Sequence, residues 1–103
     1  LTDSTPENSR DDAIAASGDT RRARILEMID VEFGRAVSRF ASFNSGHEGK
    51  AVIEEELDEL WEEVRANRPS GASATREAIQ VAAMAMRYVF DLSEWPDYVE
   101  QEL

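Results

Sequence analysis

IQVAAMAMRYVF, residues 79–90, is apolar nearly all the way round a helical wheel. That pattern belongs to a helix covered by neighbours on several sides rather than one. Ala82, Ala83 and Ala85 would let those neighbours come close, and the helix is expected over about Thr75 to Leu92. Upstream, Pro69 and Gly71 in RANRPSGAS (65–73) mark a loop. Before that loop, Ile53, Leu57, Leu60 and Val64 fall in a narrow arc of another helix, with Trp61 on one flank and Glu56, Glu59 and Glu63 on the other. Ser45-Gly46-His47-Glu48 has the S-x-x-E form of a capping box, so this helix should begin near residue 46, with Ser45 as N-cap and Glu48 reaching back. Earlier still, Ile25, Ile29, Phe33, Ala36 and Phe40 recur at helical spacing. They predict a first helix over about residues 20–41, capped by Asp19 or Thr20.

The expected class is therefore all-α, three helices with no strand pattern. Three helices would leave part of 79–90 uncovered, which predicts an oligomeric helical bundle, a homo-oligomer (dimer or higher) in which a second copy supplies the missing wall. The expected organisation is a flexible acidic N-terminal arm over 1–19, with a weak helical turn around DDAIAA (11–16), a helical domain over 20–92 and an acidic aromatic C-terminal tail over 93–103. In that tail Trp95 and Tyr98 are expected to pack on the bundle and Pro96 to stop the helix.

A net charge of -11 and a pI near 4.4 argue against direct docking on nucleic acid or an anionic membrane. There is no cysteine, hence no disulfide and no thiolate metal site. No apolar run approaches the ~18 residues of a membrane span, and residues 1–19 do not read as a signal peptide. Cytoplasm is the expected location.

EEELDELWEE (54–63) carries seven acidic side chains in ten positions. Four like-charge pairs stand four residues apart: Glu54 with Asp58, Glu55 with Glu59, Asp58 with Glu62, and Glu59 with Glu63. Together they cost the helix roughly 1 kcal/mol unless something positive arrives. On the last helix Glu77, Gln80, Met84, Arg87 and Asp91 form one polar stripe on an otherwise apolar surface. If these two helices pack as an antiparallel hairpin, Glu77 comes opposite Glu59 and Glu63. Converging carboxylates either raise one another's pKa values or take up a hard divalent cation, magnesium or manganese rather than zinc. The competing structural reading is a solvated acidic face, which fits Glu54, Asp58 and Glu62. His47, in the first turn of its helix, reads as a surface or capping residue. With one histidine and no cysteine, nucleophilic catalysis has little to build on.

HEGKAVIEEELDELWEEV (47–64) followed by REAIQVAAMAMRYVFDL (76–92) resembles the MazG-like branch of the all-alpha nucleoside triphosphate pyrophosphohydrolases, in particular the short versions of phage and actinobacterial genomes. The resemblance covers about residues 44–92. It implies a three-helix MazG-like unit, a nucleoside triphosphate substrate and magnesium held by an E-x-x-E and an E-x-x-D motif. Glu56 and Glu59 take the first motif and Glu77 opens the second, whose last position here is Gln80 instead of aspartate. The resemblance further implies catalytic roles for Glu55, Glu56 and Glu59, with Glu55 as a further ligand or as the base that orients water. Lys50 and Arg87 are the candidates for touching phosphates, although Arg87 is also spaced to pair with Asp91. The alternative from another class is a non-catalytic acidic helical interaction protein, of phage or mobile-element type, that binds a basic partner by resembling the charge of a nucleic acid. In the enzyme Glu56, Glu59 and Glu77 face one another; in the interaction protein they spread outward.

Overall fold

A computed structural model describes residues 6–93, with side chains from residue 18 onward. The described residues are all-helical: α1 (Pro6–Arg39), α2 (Gly46–Ala66) and α3 (Ala72–Leu92), with no strand among them. Trp95, Pro96 and Tyr98 of the expected tail lie outside the described residues.

Two boundaries differ from expectation. Residues 6–19, read as a flexible arm, belong to α1. Pro6 suits a first helical position because its fixed φ is already helical and its missing N–H would have no partner there. Ala13, Ala15 and Ala16 then favour propagation. α3 starts at Ala72, one turn before Thr75. Gly71 takes φ 69 at its N-cap, and Ser70 Oγ accepts from the Ala72 N–H at 3.1 Å in place of a conventional cap. Asn67, at φ 51, closes α2 by donating its backbone N–H to Glu63 O and Val64 O.

The α2 start agrees with the capping box in half of its detail. Ser45 Oγ accepts from the Glu48 N–H at 3.1 Å as expected, but Glu48 returns one residue further, its Oε1 accepting from the Asn44 N–H at 2.6 Å. The loop is thereby stitched to the helix it precedes.

α3 lies between the other two helices. It packs on α2 and on α1, whereas among the described residues the backbones of α1 and α2 do not approach each other closely. Residues 32 and 36 of α1 pair with 80 and 87 of α3, so these two helices run parallel; α2 returns antiparallel to α3. The shared core is small. Ala83 is fully buried and sits with Ala36 and Met84 against Ile29, Phe43, Val52 and Ile53. Phe33 meets Phe90 edge to face at 5.1 Å between ring centroids.

The expectation that α3 is buried on several sides is met where α1 and α2 pack on it, and the rest of its surface is open. Ile79, Ala83, Met84 and Arg87 are covered, while Met86, Val89 and Phe90 are exposed. α2 keeps half of the expected arc, Ile53 and Leu60, on its inward face and turns the other half, Leu57 and Val64, outward. Gly49, Val52, Ile53, Glu56, Leu60 and Glu63 turn inward, leaving Leu57, Trp61 and Val64 exposed.

The inward turn of α2 depends on Gly49. A Cβ built there would lie 2.6 Å from the Tyr88 ring and 3.1 Å from the Phe43 ring, whereas one at Gly34 on the open side of α1 meets nothing within 4 Å. Gly49→Ala should therefore lower stability by about 1–2 kcal/mol, overpacking outweighing the gain in helix propensity. Gly34→Ala should raise it by about 0.5–1 kcal/mol. Urea denaturation of the two variants checks this, and a stabilised Gly49→Ala would mean that α2 stands farther from Tyr88.

Candidate functional site

The inward edge of α2 carries its acids to α3. Carboxylate oxygens of Glu56, Glu59 and Glu77 lie within 4.8 Å of one another. Glu56 and Glu77 are half-buried and Glu59 is exposed. Glu56 and Glu59 share a face because they are three residues apart on one helix, and Glu77 meets them because the hairpin is antiparallel. Glu77 Oε2 is buried with no hydrogen-bond partner. A buried acceptor left without a donor costs free energy, more so when it is charged.

The electrostatics follow from this crowding. Burial, then the neighbouring charges of Glu59 and Glu77, push the Glu56 carboxyl up to about 7. Glu77 is raised as well, by burial first and by Glu59 next. Cations do reach the ends of the acidic run. Lys50 pairs with Glu54 at 3.2 Å, Arg65 with Glu62, and Arg68 with Glu63 at 2.8 Å. Among the described residues, none reaches Glu55, Glu56, Asp58, Glu59 or Glu77.

Beside the triad opens a cleft of about 830 Å³, within the range of small-molecule sites. Its floor is the stripe of α3 seen in the sequence: Gln80, Met84 and Arg87, with Arg76 one turn earlier. One wall is α2, with Glu48, Val52, Glu55 and Glu56; the other is α1, with Glu32, Arg35, Ala36, Arg39 and Phe40. Both walls repeat at steps of three and four residues, so each is one helix face.

The expected site residues divide clearly. Glu56, Glu59 and Glu77 come together, and Glu55 joins Glu56 on the cleft wall. Gln80 stands apart from the triad's ligand set: its Nε2 donates to Glu32 Oε2 at 2.6 Å. Lys50 is exposed on Glu54 and does not line the cleft. Arg87 reaches the cleft floor, yet all three of its nitrogens are committed. Nε donates to Asp91 Oδ2 at 2.9 Å, Nη1 to Ala36 O at 2.7 Å and Nη2 to Phe40 O at 2.7 Å. Asp91 Oδ2 also accepts from the Phe43 N–H at 3.0 Å. Of the two readings of Arg87, the pairing with Asp91 is the one the structure shows. That pairing leaves it a structural group, unsuited to gripping a phosphate.

Sequence reasoning missed Glu32, Arg35, Arg39 and Arg76. Glu32, Arg35, Ala36, Arg39 and Phe40 follow helical steps, but the apolar members of that stripe had already explained it as a packing face. Comparison of the chain with protein-family models, with curated proteins and with solved structures finds no match. Among the described residues no helix is long and apolar enough to cross a membrane.

The raised Glu56 carboxyl has a stability consequence. Between about pH 4.5 and 7 the folded protein retains a proton that the unfolded chain has released, so stability falls as pH rises from 4.5 and the loss is complete above 7. In metal-free buffer Glu56→Gln should therefore melt above wild type at about pH 8, with the difference shrinking toward about pH 5. Melting curves of both proteins across that range check it; parallel curves would place the strain elsewhere.

Proposed function

We propose that this chain is a MazG-like, divalent-cation-dependent nucleotide-binding protein that hydrolyses nucleoside triphosphates to monophosphate and pyrophosphate. One observation carries the reading: α2 turns Glu56 inward and brings Glu56 and Glu59 against Glu77 while Leu57, Trp61 and Val64 stay exposed. Burial of apolar area alone would favour Leu57 and Val64 over Glu56 and Glu63 at the inward edge. A rotation that crowds carboxylates makes sense when a cation joins them, and the partnerless buried oxygen of Glu77 fits the hard, all-oxygen donor set of magnesium or manganese.

Glu56, Glu59 and Glu77 would hold the ion. When bound, it supplies positive charge for a triphosphate and lowers the pKa of a coordinated water. Glu55, on the cleft wall and exposed, is the residue positioned to take a proton from water attacking the α phosphorus. Gln80, turned to Glu32, adds no charge to the triad. The site thus has three carboxylates where the resemblance implies four, and a single tightly held ion is the expected stoichiometry.

Millimolar manganese or magnesium should raise the melting temperature of wild type by several degrees, and that of Glu59→Gln by much less. Pyrophosphate release from at least one nucleoside triphosphate should require the cation and fall about a hundredfold in Glu56→Gln. Equal thermal shifts in wild type and variant would reduce the effect to charge screening. A cation response with no pyrophosphate from any nucleotide would leave a binding protein.

The assembly proposed is a homo-oligomer. No large side chain among the described residues is fully buried, while Leu57, Trp61 and Val64 on α2 and Met86, Val89 and Phe90 on α3 are exposed, Trp61 by 56%. Stripes of this kind mark interfaces, and a second copy of the same hairpin offers a matching apolar face. Light scattering at micromolar concentration should give a mass of at least twice 11.6 kDa. A monomer without a cation response would instead favour the acidic interaction protein, its Leu57–Trp61–Val64 stripe docking a basic amphipathic partner.

A further inference from the structure

The arginines of the cleft differ in what they are bonded to. From Arg24 to Leu92, Arg24, Arg35, Lys50, Arg65, Arg68 and Arg87 each have a carboxylate partner. Arg39 and Arg76 have no carboxylate partner among the described residues, and both line the cleft. Arg21 and Arg22, on the exposed part of α1, also lack a carboxylate partner among the described residues, so what sets Arg39 and Arg76 apart is that they line the cleft.

The position of Arg76 sharpens the point. It stands in the second turn of α3, whose first turn contains no acidic residue, so its charge adds to the positive end of the helix dipole instead of offsetting it. It is also the sequence neighbour of Glu77, at the triad end of the cleft. Arg39 stands at the opposite end. Arg87 bonds Ala36 O and Phe40 O, which sets Arg39 level with Arg87. Arg76 to Arg87 spans roughly 16 Å of α3 at 1.5 Å per residue. Next to Arg39, Phe40 lines the cleft with 67% of its surface exposed. The two ends therefore differ in chemistry: carboxylates with an unpaired guanidinium at one, an uncovered aromatic ring with a second guanidinium at the other.

We propose that the cleft binds a nucleoside polyphosphate lengthwise, its phosphates at the Arg76 and Glu56 end and its base stacked on Phe40 beside Arg39. This rests on the reading of Glu56, Glu59 and Glu77 as a cation site. A guanidinium gives a polyphosphate charge-assisted donors that a carboxylate-held cation alone leaves unsupplied. An aromatic ring recognises the face of any base. Arg35, already held by Glu32, buttresses the wall between them.

The test is calorimetric titration of the full chain with three probes: manganese alone, manganese with inorganic tripolyphosphate, and manganese with nucleoside triphosphates whose α–β bridge is non-hydrolysable. Arg76→Gln should weaken tripolyphosphate and nucleotide alike, by about tenfold. Phe40→Leu should weaken the nucleotide by about tenfold and leave tripolyphosphate unchanged. Manganese affinity should stay at the wild-type value in both. Arg22→Gln, on the exposed part of α1 outside the cleft, controls for loss of one positive charge, and melting curves confirm that each variant is folded. The inference is overturned if Arg76→Gln loses no more affinity than Arg22→Gln, or if Phe40→Leu weakens both triphosphates equally. It is also overturned, with the cation reading intact, if wild type binds manganese and neither triphosphate. Wild type that binds no manganese brings down the cation reading and this inference with it.

Discussion

The pair Arg87–Asp91 is the joint on which the arrangement of the three helices depends. Both side chains are 3% exposed, and the pair gathers three separate pieces of chain. Arg87 takes up the carbonyls of Ala36 and Phe40 at the end of α1, while Asp91 takes up the Phe43 N–H in the following loop. The Phe43 ring then lies 5.4 Å from the guanidinium. Helix ends leave carbonyls without intrahelical donors; here a buried cation from another helix donates to Phe40 O and shares Ala36 O with the Phe40 N–H. A buried ion pair gains little by Coulomb attraction alone. Its hydrogen bonds to the backbone make it worth keeping, because they determine where α1 stops and how it is angled onto α3.

That joint accounts for the cleft. α1 is anchored at its C-terminal end and tied again by the Gln80–Glu32 hydrogen bond. α2 is held on the other side of α3 by the close approach of Gly46 and Gly49 to Tyr88. Two helices fixed independently to a third leave a gap between themselves, and the residues facing it are those on the polar stripe of α3. The buried polar groups of α3 thus serve two ends: Arg87 and Asp91 hold the scaffold, while Glu77 and Gln80 face α2 and α1 respectively. Strain collects where no protein donor reaches, at Glu77 Oε2 and at the Glu56 carboxyl. A scaffold satisfied at one end and unsatisfied at the other is what a ligand site requires.

The helices were legible in the sequence because periodicity is local. So were the Ser45 cap and the approach of Glu77 to Glu59, since an antiparallel hairpin suffices to bring them together; Glu56 entered through the resemblance, and Glu63, also expected opposite Glu77, pairs with Arg68. The rotation of α2 was not legible. Wheel arithmetic gives Leu57 and Val64 to the core, and only the three-dimensional fit of Gly49 against Tyr88 shows that another face won. The start of α1 at Pro6 was hidden by composition, a polar segment being read as an arm although its alanines favour helix. Glu32, Arg35, Arg39 and Arg76 could not be found from spacing within any one helix. Their relevance comes from facing a gap whose other sides are built by other helices, a relation that a single sequence does not display.

Parallel packing of α1 on α3, with no close backbone approach between α1 and α2 among the described residues, also bears on the order in which the chain assembles. The α2–α3 hairpin is formed by segments adjacent in sequence and closes a short loop, so its contacts come at low entropic cost. α1 must instead return its end to a helix some 50 residues downstream, as the Ala36–Arg87 bond shows. The hairpin is thus the part able to form first and open last, with α1 docking onto a finished surface and leaving it as a unit. Opening of that kind uncovers the whole cleft at once. A ligand held between α1 and α2 would then bridge two helices the protein itself does not join, making the folding of α1 and the occupancy of the cleft a single equilibrium.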